Sequence, residues 1–269
     1  MQLALIARRP PDMVCFQYEL SAPENRMTAT LTATAARGLR DHCAACGDLL
    51  AGTYFALPDR PERYCARCIA TRSRCDVCAA PVGEPHWVLH DGRILCAICH
   101  STAIYDPVEA ENLFRETVGA IIAQLRLDLQ LGVAFRLVDA PTMAQIRARA
   151  RDGHSADQRV LGLYQRHGDV RAIYMLYGQP RLLFRTVVAH EYAHAWQNEN
   201  APHLTDDTLR EGFAEWVAYR HLCYLGCTKA ARHLLTSAHP YRPLLEQVIE
   251  IEQRDGPLGV LDYVRRAGT

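Results

Sequence analysis

The spacing of apolar residues predicts helices and strands throughout residues 102–269. Between residues 108 and 130, apolar side chains recur at helical intervals, as Leu113, Val118, Ile121, Ile122, Leu125 and Leu129. Short β-rich runs predict strands at 133–138, 159–164 and 170–177. The other periodic stretches predict helices at 141–151, 180–198, 206–225, 241–253 and 257–267, and Thr205 suits the N-cap before residue 206.

Composition divides the chain into three stretches. Residues 1–41 contain no motif and are left unassigned, whereas residues 42–101 contain eight of the 11 cysteines. Residues 102–269 contain the predicted helices and strands. This order predicts an α+β domain preceded by a small cysteine-rich module.

The bulk properties exclude several classes of protein. Apolar residues make up 49% of the chain, enough for a hydrophobic core. The formal net charge of +0 argues against nucleic acid or an anionic membrane as a partner. No run approaches the ~18 apolar residues of a membrane-spanning helix, and the N-terminal apolar run is too short for a signal peptide. We therefore expect a cytoplasmic protein with reduced thiols.

His190-Glu-Tyr-Ala-His194 is an HExxH motif within a predicted helix. Positions i and i+4 share a helix face, so both imidazoles can reach one metal ion. Glu191 lies three residues before His194 and faces the same cavity, where it can accept a proton from a zinc-activated water. The alternative is a surface helix that carries a His/Glu pair.

Glu211 follows His194 by seventeen positions, in the run Glu211-Gly-Phe-Ala-Glu215. A turn and a second helix packed on the first would direct Glu211 to the metal, which completes two histidines and one glutamate with a position open for water. Glu215, one turn further on, can accept the remaining ring N–H of a ligand histidine. The set predicts amide hydrolysis by direct water attack, with Glu191 as general base.

Eight cysteines form four CxxC pairs: Cys43 and Cys46, Cys65 and Cys68, Cys75 and Cys78, Cys96 and Cys99. Two such pairs one hairpin apart make a tetrahedral zinc site, so we expect two structural zinc ions beside one catalytic ion. His100 is an alternative ligand to Cys99. The simplest role for the module is structural, as a small unit held together by its zinc ions, and protein recognition is the more specific alternative. Cys15 is by default a small buried residue, with capping of the catalytic zinc as its alternative.

The chain resembles the DA-one family, the LIM-domain metallopeptidases that are activated by ubiquitin and limit organ size in plants. The resemblance covers residues 43–269 and lies in Leu176-Tyr-Gly-Gln-Pro-Arg-Leu-Leu183, Ala189-His-Glu-Tyr-Ala-His-Ala-Trp196, Arg210-Glu-Gly212, Asp91-Gly-Arg-Ile-Leu-Cys96, Gly162-Leu163 and Tyr64-Cys65 with the CxxC pairs that follow.

The resemblance implies a LIM-like tandem zinc-ribbon module ahead of a gluzincin-type peptidase domain. The family's zinc ligands fall on His190, His194 and Glu211, and its catalytic glutamate falls on Glu191. LIM domains separate their zinc halves by two residues, whereas six separate Cys68 from Cys75 here. The chain is rich in arginine and has a single lysine, Lys229, which favours a bacterial homologue. The ubiquitin trigger and the plant substrates are therefore not carried over.

Three functions compete at this stage. The leading one is an endopeptidase that acts on protein or peptide substrates in extended conformation. The others are an aminopeptidase and a non-catalytic zinc-binding adaptor. We expect residues 170–177 to be an edge strand that pairs with the substrate backbone. Tyr241, and after it His239, are candidates to stabilise the oxyanion, against the alternative that they cap or pack a helix start.

Overall fold

The computed structural model describes residues 13–17, 28–30, 42–51, 53–57, 61–149, 160–236 and 241–268. Its strands are β1 (Met13–Gln17), β2 (Thr28–Thr30), β3 (Tyr54–Ala56), β4 (Arg63–Cys65), β5 (His86–Val88), β6 (Ile94–Cys96), β7 (Ala103–Ile104), β8 (Ala134–Val138), β9 (Val160–His167), β10 (Val170–Leu176) and β11 (Gln179–Pro180). Its helices are α1 (Ala66–Thr71), α2 (Ala97–Ser101), α3 (Pro107–Leu125), α4 (Ala140–Arg149), α5 (Arg181–Asn200), α6 (Asp207–Tyr224), α7 (Thr228–Thr236) and α8 (Arg242–Ala267).

The chain forms two compact units, and the predicted mixture of helices and strands is confirmed. The first unit comprises residues 1–18, 105–177 and 182–269, and the second comprises residues 19–104 and 178–181. None of the described helices is long and apolar enough to cross a membrane.

A four-stranded mixed sheet in the order β1-β9-β10-β8 forms one layer of the first unit. Strand β10 runs parallel to β8 and antiparallel to β9, and β1 runs antiparallel to β9. The expectation that residues 170–177 form an edge strand for substrate is wrong, because β10 is paired on both sides. Local sequence shows that this segment is a strand but carries no information about its neighbours in the sheet.

The predicted helices of the first unit are present with shifted ends. Helix α3 stops at Leu125 because Arg126 adopts a left-handed conformation, φ 58°. The N-cap of α6 is Asp206 rather than Thr205, and the Asp206 carboxylate accepts hydrogen bonds from the N–H groups of Thr208 and Leu209. The two helices expected near the C-terminus meet at Gly256, whose φ of 74° interrupts α8.

Helix α5 is the centre of the core of the first unit. It is buried around most of its circumference, as expected for a helix with apolar residues on several faces. Trp196 of α5 stacks on Phe213 of α6 with ring centroids 5.3 Å apart. Helix α8 contacts α6 in turn, where the Trp216 indole N–H donates to Glu252 at 2.8 Å. These contacts fix which faces of α5 and α6 pack against each other.

The second unit repeats one small fold twice, which confirms tandem cysteine clusters of LIM-like character. In each half a turn carries the first cysteine pair, a β-hairpin follows, and the third cysteine ends a strand and caps a short helix that contains the fourth. The backbone N–H of Cys65 donates to Cys43 Sγ at 3.3 Å, and that of Cys96 donates to Cys75 Sγ at 3.3 Å. Such N–H donors are typical of thiolates that bind metal.

Candidate metal centre and active site

The HExxH residues lie on α5 and are buried. His190 and Glu191 are 0% exposed and His194 is 1% exposed. One helical turn separates the two imidazoles, so they face each other with Nε2 atoms 3.0 Å apart. Two ring nitrogens at this distance can share a metal ion.

Glu211 approaches the two histidines from α6. Its Oε2 atom lies 3.4 Å from His190 Nε2 and 3.8 Å from His194 Nε2. Zinc bonds of ~2.0–2.1 Å in a tetrahedron put neighbouring ligand atoms roughly 3.3 Å apart, so the three atoms fit a zinc ion. All three ligand atoms lie within 4.8 Å of one another. The second helix thus brings Glu211 to the place that the sequence predicted.

His194 is held in the form that ligates metal. Burial lowers the pKa of the His194 imidazole to about 3, so its ring is neutral at physiological pH. Its Nδ1 atom lies 2.9 Å from Gln197 Oε1, which orients the ring and leaves Nε2 towards Glu211. A neutral imidazole with its second nitrogen hydrogen-bonded is the usual state of a metal-binding histidine.

Gln197 was not identified from the sequence, although its spacing from His194, three residues along α5, was a usable signal. Besides contacting His194, its amide Nε2 donates to the carbonyl oxygen of Arg210 at 3.0 Å. Arg210 directly precedes Glu211, so one side chain links both helices that supply ligands. Glu215, the predicted partner of a ligand histidine, has its Oε1 atom 3.5 Å from His190 Nδ1. Burial, with the charge of Glu211, raises the pKa of Glu215 to about 8.

Glu191 is positioned by strand β9. The backbone N–H of Tyr164 donates to Glu191 Oε2 at 2.7 Å. Two residues earlier, a Cβ atom on Gly162 would lie 2.9 Å from Glu191 Cγ and 2.4 Å from Val187 Cγ1, closer than real side chains approach. The strand backbone therefore lies against the carboxylate because residue 162 has no side chain.

The eight paired cysteines form two clusters in the second unit. Cys43, Cys46, Cys65 and Cys68 make one cluster, and Cys75, Cys78, Cys96 and Cys99 make the other. Cys46 Sγ lies 3.9 Å from Cys65 Sγ, and Cys78 Sγ lies 3.8 Å from Cys96 Sγ. Zn–S bonds of ~2.3 Å in a tetrahedron put sulfurs roughly 3.8 Å apart, so both clusters can hold zinc. His100 stacks on Trp87 at 4.0 Å between ring centroids and is not part of either cluster.

The two oxyanion candidates have different outcomes. His239 lies outside the described residues. Tyr241 is the N-cap residue of α8, although its side chain makes no capping hydrogen bond. Three residues later, the carbonyl oxygen of Leu244 lies 2.6 Å from where a Cβ on Gly212 would stand, so the first turn of α8 packs beside the residue that follows Glu211. A catalytic role of Tyr241 stays a prediction.

Comparison with known proteins supports the family suggested by the motifs. Residues 137–240 match the family model described as "DA1-like: Protein DA1". The chain is 25% identical over 203 residues to Protein DA1 of Arabidopsis thaliana, which covers 63% of this chain and 38% of the relative. It is 27% identical over 214 residues to Protein DA1-related 1 of the same plant, with 65% and 38% covered.

A third relative is named for a LIM domain. The LIM domain-containing protein HDR3 of Oryza sativa subsp. japonica is 22% identical over 253 residues, which covers 81% of this chain and 48% of the relative. The matched regions thus span less than half of the length of each of these relatives. No solved structure matches the chain. Its DA1-like region and these relatives make the chain similar to the DA1 family.

Proposed function

We propose that the chain is a zinc-dependent peptidase of gluzincin type, with His190, His194 and Glu211 as ligands of the catalytic ion and Glu191 as general base. The observation that carries this is the buried convergence of two imidazoles and one carboxylate from two helices. Three protein ligands leave one position for water, the arrangement of catalytic rather than structural zinc. Glu191, adjacent to His190 on α5, is hydrogen-bonded at a fixed position beside the ligands.

The chain's own residues divide the work of hydrolysis. Zinc bound at this site would activate a water molecule and polarise the scissile carbonyl. Glu191 accepts the proton of the attacking water and delivers it to the leaving amine. The N–H of Tyr164 orients the Glu191 carboxylate through Oε2, so the base does not have to be ordered during the reaction. Gln197 contacts both His194 and the carbonyl oxygen of Arg210, so it holds the His194 ring in a fixed position relative to the start of α6.

We propose Tyr241 as the donor to the oxyanion. This role is supported by the first turn of α8, which begins directly after Tyr241 and lies against Gly212, next to the proposed ligand Glu211. Tyr241→Phe should reduce kcat roughly a hundredfold with little change in KM, because a hydroxyl that bonds only the developing charge acts in the transition state. Tyr224→Phe, at an exposed residue of α6, is the matched control and should leave kcat unchanged. An unchanged kcat in Tyr241→Phe removes this residue from the mechanism.

The decisive test is cleavage of a peptide library by the wild-type protein and by Glu191→Gln. The variant should keep its zinc and its fold but lose hydrolysis by several orders of magnitude, because an amide does not accept the water proton. Cleavage inside peptides with blocked ends identifies an endopeptidase, and cleavage only from free N-termini identifies an aminopeptidase. Equal turnover by Glu191→Gln would exclude Glu191 as the base. No cleavage by either protein would favour the adaptor function, for which the LIM-containing relative is the supporting observation.

A further inference from the structure

Strand β9 has one edge that faces away from β10. The two strands are joined by a two-residue turn, with His167 opposite Val170. In such a hairpin the residues flanking the turn exchange both backbone hydrogen bonds, and the pattern alternates along the strand. The backbone groups of Arg166, Tyr164 and Gly162 therefore point to the other edge of β9.

This outer edge of β9 borders the proposed catalytic base. Tyr164, whose N–H points to the outer edge, is the residue that donates to Glu191 at 2.7 Å. Gly162, at the next outward position, is the residue whose missing side chain lets the strand approach Glu191. An extended peptide lying on this edge would have its backbone beside Glu191, and strand addition to a sheet edge is a common way to bind peptides.

The outer edge is covered by a strand of the same chain. Strand β1, Met13–Gln17, pairs with β9 in the antiparallel sense, with Val14 opposite Tyr164 and Phe16 opposite Gly162. The register shifts after Phe16, so the regular pairing ends beside Gly162. The covered positions are therefore the two beside Glu191, and at Tyr164 the N–H is already donated to Glu191, which leaves the carbonyl oxygen of Tyr164 for the partner strand.

We propose that β1 is an intramolecular competitor of the substrate, which occupies the β9 edge where an extended peptide binds for cleavage. This inference rests on the proposed peptidase function. Because β1 belongs to the same chain, it competes at a high effective concentration, so weak pairing is enough to reduce access. Release of β1 exposes the edge, and the peptide then adds to β9 in the antiparallel sense.

The test uses full-length variants that differ only in backbone pairing. Val14→Pro/Phe16→Pro removes two N–H groups of β1 and cannot pair regularly, whereas Val14→Ala/Phe16→Ala shortens the same side chains and keeps both N–H groups. A fluorescent peptide of residues 11–19 carrying Cys15→Ser serves as the probe, since it can pair with β9 without a thiol that binds metal. Binding is measured in the Glu191→Gln background, so it does not depend on hydrolysis.

We expect the peptide to bind the proline variant at least tenfold more tightly than it binds the alanine variant. Hydrolysis is measured in variants that retain Glu191. There the apparent KM of the proline variant should be at least fivefold lower than that of the alanine variant, with unchanged kcat, as expected when an internal competitor is removed. Hydrogen exchange should increase at residues 160–167 and stay unchanged in α5, which also verifies that the variant is folded. Equal peptide affinity in the two variants, or exchange at 160–167 that does not change, overturns the proposal.

The outcomes separate this inference from the peptidase function. If peptide binding follows the expected order but no variant cleaves any peptide, β1 covers a peptide-binding edge and the peptidase proposal fails. If all variants cleave with the same KM and bind the peptide equally, the peptidase stands and the competitor role of β1 fails.

Discussion

Gly162 is a strand residue whose missing side chain leaves room for two side chains of α5. A Cβ atom there would meet Val187 at 2.4 Å and Glu191 at 2.9 Å. The same stretch of β9 supplies the N–H that holds Glu191. At the scale of residues, the position of the proposed base thus depends on the backbone of a strand far away in sequence, and not on the HExxH motif alone.

We predict that Gly162→Ala lowers kcat by at least tenfold while the zinc content stays at the wild-type value. The added methyl must displace Glu191 or Val187, and misplacement of a base by about 1 Å can cost roughly a hundredfold in rate. Steady-state kinetics and metal analysis measure the two quantities.

A second variant separates the two contacts of Gly162. Val187→Ala together with Gly162→Ala removes the atom 2.4 Å away and leaves the contact with Glu191. The double variant should melt at a higher temperature than Gly162→Ala and remain impaired in kcat. Full recovery of kcat would show that crowding of Val187, not of Glu191, was the cause.

Helices α6 and α8 approach each other at Gly212 without an intervening side chain. A Cβ atom on Gly212 would lie 2.6 Å from the carbonyl oxygen of Leu244, a backbone atom that cannot rotate away. Gly212 follows Glu211 directly, so this close contact also bears on the position of the proposed third ligand. At the scale of elements, a glycine that costs helix propensity is required by packing.

We predict opposite effects for the same substitution in two helices. Gly212→Ala should destabilise the protein by about 1–3 kcal/mol, the usual cost of overpacking a core. Gly119→Ala, at an exposed position of α3 where an added Cβ meets nothing within 4 Å, should stabilise it by up to about 1 kcal/mol through helix propensity. Thermal or denaturant unfolding measures both, and destabilisation of similar size in both variants would contradict the packing argument.

The two units are expected to differ in their dependence on metal. In the second unit the cysteines belong to the small hydrophobic clusters themselves: Cys43 and Cys68 in one, Cys75 and Cys99 in the other. In the first unit the proposed ligands are surrounded by a large core that includes Trp196 and Trp216. At the scale of the whole molecule, we expect metal to be a folding requirement for the second unit and, if the proposed function holds, a catalytic requirement for the first.

We predict three zinc ions per chain, one of which leaves first. A chelator should remove the ion held by three protein ligands before those held by four thiolates, and activity should be lost at that step without loss of secondary structure. Native mass spectrometry combined with circular dichroism follows both changes. His190→Ala should lose one zinc and keep the fold, whereas Cys68→Ser should lose one zinc and disorder its half of the second unit. Fewer than two tightly bound zinc ions in the wild-type chain would refute the cysteine assignment.

Sequence alone determined the features that depend on short spacing. The i, i+4 histidines and the CxxC pairs specify ligand clusters within a turn or a hairpin, and the structure brings them together. Helices α3, α4, α5, α6 and α8 were predicted to within a few residues, since apolar periodicity is a local property, whereas α7 was not predicted. The likeness to the DA-one family rested on the same local motifs and is confirmed.

Only the tertiary structure decided which distant segments meet. The sequence correctly predicted a strand at residues 170–177, but this strand lies inside the sheet and not at its edge. The hydrogen-bond partners of a strand are chosen across the whole chain. The pairing of β1 with β9, the N–H that Tyr164 gives to Glu191, and the link from Gln197 to Arg210 have no local signature. A periodic pattern specifies which face of an element is buried, but the partner on that face is selected by packing and backbone hydrogen bonding among all the elements.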